Sequence, residues 1–486
     1  MPISSLLDRR AFLQATGLAA GGLATLGLDR LLAVRSAQLD FQAAARALVA
    51  SLSPEQRRVV MLPWEHPSRG LVAHVACMGD APRVADTLAV AQQTLVHRLY
   101  ETMTSDAQRR RFGRLVGLEA GGLDPCAILL YGDPFERDGG EFQVTLSGAH
   151  LLIRGGGMSG EGSAFGGPLG YGHQLGDGVP RLPGSAFAYH GDAANAFLAA
   201  LPADQRDRAL LAGEPSYETA VQLQGTGGRF HGLAAHALDD AGLTGLASLV
   251  DVVLSCYDDA DREAAWGCIR RNGGAEALHL AVWSERGLYD DGAAWSSLLP
   301  AERERRGEPY WHVWRIEGPG TVLHFRGWPH VHAAIHLADD GGARQHVGEQ
   351  LAVAPRLLED AELRPLLLEA LRDAAGTQLA FHADAIPARF VPGPVTTSVV
   401  WNLDPFDAEL GVMVIRGAAM GAPLRRAVAE QGVIVEASQL YRIALPSTFV
   451  HGPEIFGEPE RVEPTGLRTR GAYERYFRKH GLARLA

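Results

Sequence analysis

Residues 47–57 read Ala47-Leu48-Val49-Ala50-Ser51-Leu52-Ser53-Pro54-Glu55-Gln56-Arg57, and residues 197–206 read Phe197-Leu198-Ala199-Ala200-Leu201-Pro202-Ala203-Asp204-Gln205-Arg206. Both stretches have the pattern of an amphipathic helix, a break and the start of a second helix. A proline lies in the first turn and an acidic residue lies near the N-terminus, where the helix dipole favours negative charge. The recurrence of this pattern predicts two related structural repeats.

The elements after each stretch also match in order. The pattern predicts helical segments over residues 84–116 and 233–257, then short strands at Ala127–Tyr131 and Leu278–Trp283. An antiparallel ribbon follows in each repeat, at Phe142–Ile153 and at Trp311–Phe325. The sequence therefore predicts an α+β fold, with two tandem helix-plus-antiparallel-ribbon repeats related by a pseudo-two-fold. Their interface is the expected place for a site.

Four regions are expected along the chain: a signal peptide over residues 1–37, a first repeat over 38–180, a second repeat over 181–346 and a smaller C-terminal α+β module over 347–486. Residues 155–178 contain 11 glycines, including a formal GxGxxG at Gly155, Gly157 and Gly160. No helix pattern follows these glycines, so we interpret the stretch as a long loop and expect no nucleotide cofactor. The C-terminal module is expected to contain a helix at Leu357–Ala374 and then strands.

Composition excludes several classes of protein. The chain has 486 residues, 47% of them apolar and 21% charged, which is typical of a globular protein with more than one domain. The formal net charge is −11, which disfavours a nucleic-acid partner because phosphate binding needs a basic surface. Lys479 is the only lysine, which argues against a P-loop ATPase and against a Schiff-base enzyme.

The N-terminus has the pattern of an export signal. Arg9 and Arg10 precede an apolar stretch rich in alanine, glycine and leucine at 15–28. Paired arginines before such a stretch indicate the twin-arginine type, so we expect the export machinery as a partner and a periplasmic or secreted location. The alternative is a membrane anchor, but the apolar run is shorter than the ~20 residues that a span needs. We expect the mature chain to begin near Gln38, with no stable membrane span after processing.

Histidines are concentrated near the end of the second repeat. Residues 312–346 contain six of the 18 histidines, and residues 330–337 read His330-Val331-His332-Ala333-Ala334-Ile335-His336-Leu337. Read as a strand, the apolar residues share one face and His330, His332 and His336 share the other. His330 and His332 would lie about 6.5 Å apart along the strand, close enough for both rings to bind one ion.

This pattern predicts a site for one metal ion, with copper or zinc expected first and iron possible. His330 and His332 are the proposed ligands, and His336 or His150, from the matching ribbon, would complete the site. The alternatives are a histidine stripe that bonds to its neighbours, and a metal-free role in catalysis or ligand contact. Arg315 and Trp328 flank the cluster as candidate ligand-binding residues, although Arg315 and Glu317 could instead form a salt bridge within the ribbon.

The region of the two predicted repeats resembles a known family. The segments Gly307-Glu308-Pro309-Tyr310-Trp311 and Trp314-Arg315-Ile316-Glu317-Gly318-Pro319, with the histidine pair and Gly148-Ala149-His150-Leu151, are similar to the exported bacterial family catalogued as domain of unknown function 3500. The resemblance covers roughly residues 40–345. It implies a shared fold and points to His150, His330 and His332.

The C-terminal part resembles a different protein. Gly393-Pro394-Val395-Thr396, Asp404-Pro405-Phe406-Asp407 and Tyr441-Arg442-Ile443-Ala444 are similar to the nucleotide-recognising C-terminal domain of exported 5′-nucleotidases. The metallophosphatase domain is missing, so the resemblance does not imply nucleotide hydrolysis. The module is expected to be a ligand cap or a packing unit.

These observations lead to two functional hypotheses. The first is an exported metal-binding protein with one histidine-held ion, acting as a hydrolase or an oxidoreductase on a small molecule. The alternative is a non-catalytic periplasmic protein that binds a metal or a small ligand. The sequence identifies no catalytic residue and no substrate.

Overall fold

The computed structural model describes residues 41–71, 81–116, 122–135, 141–148, 150–156, 169–173, 187–211, 221–283, 311, 313–327, 331–339, 346–382, 389–404, 407–447 and 456–482. The predictions for the export signal, for His330 and for Trp328 lie outside these residues. Within them, no helix combines the length and the apolar character that crossing a membrane requires.

The first repeat contains helices and strands in the order that the sequence predicts. They are α1 (41–51), α2 (Pro54–Val60), β1 (Met61–Leu62), α3 (Val84–Thr87), α4 (Val90–Thr102), α5 (Asp106–Val116), β2 (Ala127–Gly132), β3 (Phe142–Gly148), β4 (Leu151–Gly156) and β5 (Leu169–His173). Helix α2 begins with a capping box, in which Ser53 Oγ accepts from the Gln56 amide while the Gln56 side chain accepts from the Ser53 amide.

The second repeat has a matching series of elements. They are α6 (Ala188–Ala200), α7 (Ala203–Ala209), β6 (Leu210–Leu211), β7 (Leu233–Ala234), α8 (Asp240–Leu254), α9 (Asp259–Arg271), β8 (His279–Trp283), β9 (Val313–Gly318), β10 (Thr321–Arg326) and β11 (Val331–Leu337). The predicted helix over 233–257 is wrong at its start, because Leu233–Ala234 pairs with β8. The predicted ribbon is confirmed as β9 and β10.

One large sheet joins the two repeats. Its strand order is β1-β2-β3-β4-β5-β11-β10-β9-β8-β6, with β7 also pairing with β8. The strand order places five strands on each side of the β5–β11 junction, and both edge strands pair in parallel with their neighbours. These pairings establish an α+β architecture. They do not compare the two halves by superposition, so the two repeats and their pseudo-two-fold stay predictions.

Strand β5 corrects the interpretation of the glycine-rich stretch as a loop. Leu169 and Tyr171 alternate with Gly170 and Gly172, and the strand pairs with both β4 and β11. A Cβ on Gly172 would overlap the Val331 carbonyl oxygen. The glycine therefore permits the close approach of the two strands that joins the repeats.

The two faces of the large sheet differ in chemistry. The first packs against the helices in an apolar core that includes Val331, Ala333, Ile335 and Leu337, as the alternation predicts. We call the second the polar face; its buried polar side chains include Gln143, Thr145, Arg154, Arg315, Glu317, His324, Arg326, His332 and His336. Apolar Val221 and Leu223 pack against part of this face, beside Val322, Ala334 and Ala338.

One histidine belongs to the helix side of the sheet. His190 is fully buried in α6, where Tyr171 Oη and His190 Nδ1 lie 3.0 Å apart. Burial, with a smaller effect from the charge of Arg111, lowers the pKa of His190 to about 3. This histidine is neutral at ordinary pH and belongs to the core.

Residues of the C-terminal module form two further sheets. Its elements are β12 (Gln350–Ala354), α10 (Asp360–Ala375), β13 (Leu379–Ala380), β14 (Gly393–Thr396), α11 (Thr397–Leu403), β15 (Glu409–Arg416), α12 (Ala422–Glu430), β16 (Leu440–Pro446), β17 (Arg461–Arg468) and α13 (Thr469–His480). Strand β12 pairs with β14, and the other sheet has the order β13-β16-β15-β17. Asn402 in α11 donates to the Gly70 carbonyl at 2.8 Å, which joins the module to the first repeat.

Candidate functional site

Side chains of a strand point alternately to the two faces of the sheet, and this alternation places the polar residues on the polar face. In β10, Leu323 and Phe325 point to the helices, so His324 and Arg326 point to the opposite side. The registers of the neighbouring strands place Arg326 opposite His332 and His324 opposite Arg315. Polar residues from three adjacent strands are thus brought together, and each is almost fully buried.

His332 is the centre of the first group on this face. Arg326 Nη2 lies 2.6 Å from His332 Nδ1. A guanidinium has only N–H donors, so Nδ1 accepts the hydrogen bond. The neutral imidazole then carries its proton on Nε2, which makes that nitrogen a donor as well.

His150 approaches His332 from the other repeat. The two ring centroids are 5.4 Å apart, and the rings are tilted by 53°. Gly172 lies between them: it pairs with His332, and its amide donates to the His150 carbonyl. A Cβ on Gly172 would lie 3.2 Å from His150 Cδ2, so the glycine leaves room for the His150 ring.

His336 has a separate environment on the same face. Its Nδ1 lies 2.8 Å from the Val221 carbonyl oxygen, so Nδ1–H donates and Nε2 carries the lone pair. The ring lies four residues beyond His332 along β11, on the far side of Ala334. Among the described residues, no three His, Cys, Asp or Glu side chains are grouped so that they could hold a metal ion.

A second group of charged side chains lies beside the first on the polar face, around Arg315, which pairs with His324 two residues from Arg326 along β10. Arg315 Nη1 is 3.3 Å from Glu317 Oε1, and Arg389 Nη1 from the C-terminal module is 3.8 Å from the same oxygen. All three side chains are deeply buried, with only 3–6% of each accessible to solvent. One carboxylate therefore lies between two guanidinium groups, which confirms the ribbon salt bridge and adds a partner from a distant part of the chain.

The predicted site residues have different outcomes. His150 and His332 come together from the two repeats, and His336 and Arg315 lie on the same face in contact with other partners. His330 and Trp328 lie outside the described residues. Arg326 and Arg389 were not predicted from the sequence. The alternation of β10 contains a signal for Arg326, whereas nothing local places Arg389 beside β9.

The charges of the described part of this region are unbalanced. Four buried arginines lie on or against the polar face (Arg154, Arg315, Arg326 and Arg389), and Glu317 is the one buried carboxylate among the described residues there. Arginine side chains are well suited to bidentate binding of carboxylates and phosphates. Among the described residues, this face therefore has more buried arginines than buried carboxylates.

Comparisons with known proteins identify no family and no activity for this chain. No protein-family model matches the chain, and no curated protein matches it. Among solved structures, a 5′-nucleotidase precursor from Thermus thermophilus shows a weak resemblance, with a TM-score of 0.24 and 15% identity over 35% of this chain. The chain covers 47% of that protein, about half of its length. A likeness of this size supports no conclusion about activity.

Proposed function

We propose that this chain is an exported protein that binds a small anionic ligand, a carboxylate or a phosphate, on the polar face of its large sheet. The observation that carries the proposal is the hydrogen bond from Arg326 to Nδ1 of His332. The ligand would contact Arg326, His332 and His150. The proposal develops the small-ligand hypothesis and leaves open whether a reaction follows binding.

The support comes from the direction of hydrogen bonding. Because Nδ1 of His332 accepts from a guanidinium, Nε2–H of His332 is a donor, so Arg326 and His332 both carry N–H donors. Oxygen-rich anions accept such bonds, and a charged partner strengthens them. A cation at this position would instead be repelled by Arg326, and the repulsion is strong where water is excluded.

Binding of inorganic phosphate tests the proposal. We expect Arg326→Gln to weaken phosphate binding by about 10- to 100-fold, because a hydrogen bond to a charged group contributes about 1.5–3 kcal/mol. Isothermal titration calorimetry on the full chain measures the dissociation constant of phosphate. Acetate is titrated as the carboxylate probe, and sodium chloride at the same ionic strength is the salt control. Arg58→Gln is the control, since the Arg58 side chain is 74% exposed. Absence of phosphate and acetate binding in the unchanged chain, or equal binding in Arg326→Gln, would refute the proposal.

A second candidate is the histidine-held metal ion, copper or zinc with iron possible, at His330, His332, His336 and His150. The close approach of the His150 and His332 rings favours it. An open coordination position would support hydrolysis or oxidation.

This candidate predicts the metal content of the protein. Elemental analysis of protein exported with its own signal should find about one equivalent of metal, lost in His332→Ala and retained in the control His97→Ala, whose side chain is exposed. One site built from three or four ligands holds one ion per chain, which is why about one equivalent is expected. Less than about a tenth of an equivalent in the unchanged protein would rule the candidate out.

Two further elements of the proposal rest on the sequence. The paired arginines support export by the twin-arginine machinery to the periplasm or the exterior. The motifs around His150, Arg315 and the histidine pair support membership of the family catalogued as domain of unknown function 3500.

A further inference from the structure

A histidine that the proposed function does not use lies where the first repeat meets the C-terminal module. His66 precedes a short 3₁₀ helix at Pro67–Gly70, and its ring meets the Trp401 ring of α11 edge to face, with the centroids 5.7 Å apart. Asn402, the next residue of α11, donates to the Gly70 carbonyl at the other end of the same short helix. The short helix is therefore held against α11 at both of its ends.

The hydrogen bonds of His66 show which ring nitrogen has no proton. Nδ1 accepts from the Ser68 backbone amide at 3.3 Å and lies 2.7 Å from Ser68 Oγ. Because a backbone N–H only donates, Nδ1 carries a lone pair, and the Ser68 hydroxyl donates to it as well. Ser68 Oγ also lies 2.8 Å from the hydroxyl oxygen of the fully buried Tyr131, which therefore donates to Ser68. A chain of hydrogen bonds thus runs from Tyr131 through Ser68 to Nδ1 of His66.

The charge that acts on the His66 ring comes from α13. Arg470 supplies it, and the Cζ of this guanidinium lies 3.5 Å from the centre of the Trp401 ring that His66 also contacts. The charges that act on Arg470 in turn are those of Asp407, Asp404, Glu474 and Arg468. In the short helix, Arg69 is directed to the Trp64 ring, 3.7 Å from its centre. Helix α11 has no charged side chain, so a proton on His66 would add a second positive charge near Arg470.

The position of His66 opposes its protonation. Burial, with a smaller effect from the charge of Arg470, lowers the pKa of His66. When the contact opens, the ring returns to water and regains its ordinary pKa, so protons favour the open form. The contact is at full strength above the ordinary pKa of histidine and weakens as the pH falls through the lowered value. A protonated Nδ1 would donate to Ser68 Oγ, and the Ser68 amide and the buried Tyr131 hydroxyl would both lose their acceptors.

We propose that His66 is a pH-sensitive latch between the first repeat and the C-terminal module. At neutral pH, the unprotonated Nδ1 caps the short helix and the ring contacts Trp401. In acid, a proton on Nδ1 removes the cap and repels Arg470, and the contact between the short helix and α11 loosens. The latch is independent of the proposed function, because none of its residues belongs to the anion site.

Hydrogen exchange of the full chain at about pH 7.5 and about pH 5 tests the proposal, since histidine changes its charge between these values. After correction for intrinsic exchange rates, peptides that span the short helix and α11 should exchange about 5-fold faster at the lower pH, the usual effect of losing one N-cap hydrogen bond. Peptides from α8 should keep their protection. Equal protection of the short helix and α11 at both pH values would overturn the proposal.

Two variants assign the pH dependence to the latch. In His66→Asn, the side-chain oxygen still caps the short helix but does not titrate, so the difference between the two pH values should disappear. Glu474→Gln is the control, because burial raises the pKa of that carboxyl toward the same pH range, and this variant should retain the difference. A difference that persists in His66→Asn, or one that is lost in Glu474→Gln, would overturn the proposal.

Discussion

Glu317→Gln should lower the free energy of unfolding by about 3–5 kcal/mol, because it removes the carboxylate that lies between two buried guanidinium groups. Arg315 and Arg389 approach the same oxygen, and all three side chains are shielded from water. Glutamine keeps the size and shape of glutamate, so the loss of charge is the main change. The two arginines would then repel each other in a medium that screens charge poorly.

Urea unfolding followed by tryptophan fluorescence measures this effect, since Trp314 is fully buried in the same strand. Glu460→Gln is the matched control: Glu460 pairs with Arg416 at 2.7 Å, but 38% of its side chain is exposed. An exposed pair of this kind contributes less than about 1 kcal/mol. If the two variants unfold at the same urea concentration, the buried ion group does not stabilise the contact between the sheet and the C-terminal module.

Gly172→Ala should destabilise the protein by about 3 kcal/mol, near the upper end of the usual cost of overpacking. The added Cβ would overlap the Val331 carbonyl oxygen, and a backbone atom within a paired strand cannot move aside. Strands β5 and β11 would have to separate, and the His150 ring would lose its place beside His332. The variant should therefore also lose phosphate binding.

Gly113→Ala is the control for this substitution. Gly113 is exposed within α5, and a Cβ there meets nothing within 4 Å. Alanine in a helix interior is favoured over glycine by about 0.8–1 kcal/mol, so this variant should be slightly more stable than the unchanged chain. Thermal unfolding compares the two, and a Gly172→Ala variant as stable as Gly113→Ala would contradict the observed pairing of β5 with β11.

Local sequence patterns predicted the large sheet well. The alternation from Val331 to Leu337 identified which side chains face the core, and the ribbon predicted at Trp311–Phe325 corresponds to β9 and β10. The glycine-rich stretch was misinterpreted at β5, since Gly170 and Gly172 weaken the strand pattern. Their role depends on how closely β11 approaches, and a strand's own sequence does not contain that information.

The site was less predictable than the fold. His150 and His332 were both predicted as site residues, and their rings lie close together although they come from the turn before β4 and from β11. Arg326 was not predicted because the many histidines near it indicate a metal site. The pattern gave no reason to assign a role to an arginine in β10, the strand beside β11. Arg389 lies far from β9 in sequence, and its approach to Glu317 arises from the packing of the C-terminal module onto the sheet. Such contacts have no local sequence signal.

The position of the ring proton of His332 is the most direct test of the proposed anion site at Arg326 and His332. Long-range ¹H–¹⁵N spectra of protein labelled at the histidine rings distinguish the two neutral tautomers, and His332→Gln assigns the signal. We predict a neutral ring with its proton on Nε2, and a change in that signal when phosphate is added, because Arg326 donates to Nδ1. A proton on Nδ1, or a signal that phosphate leaves unchanged, would contradict an anion site at Arg326 and His332.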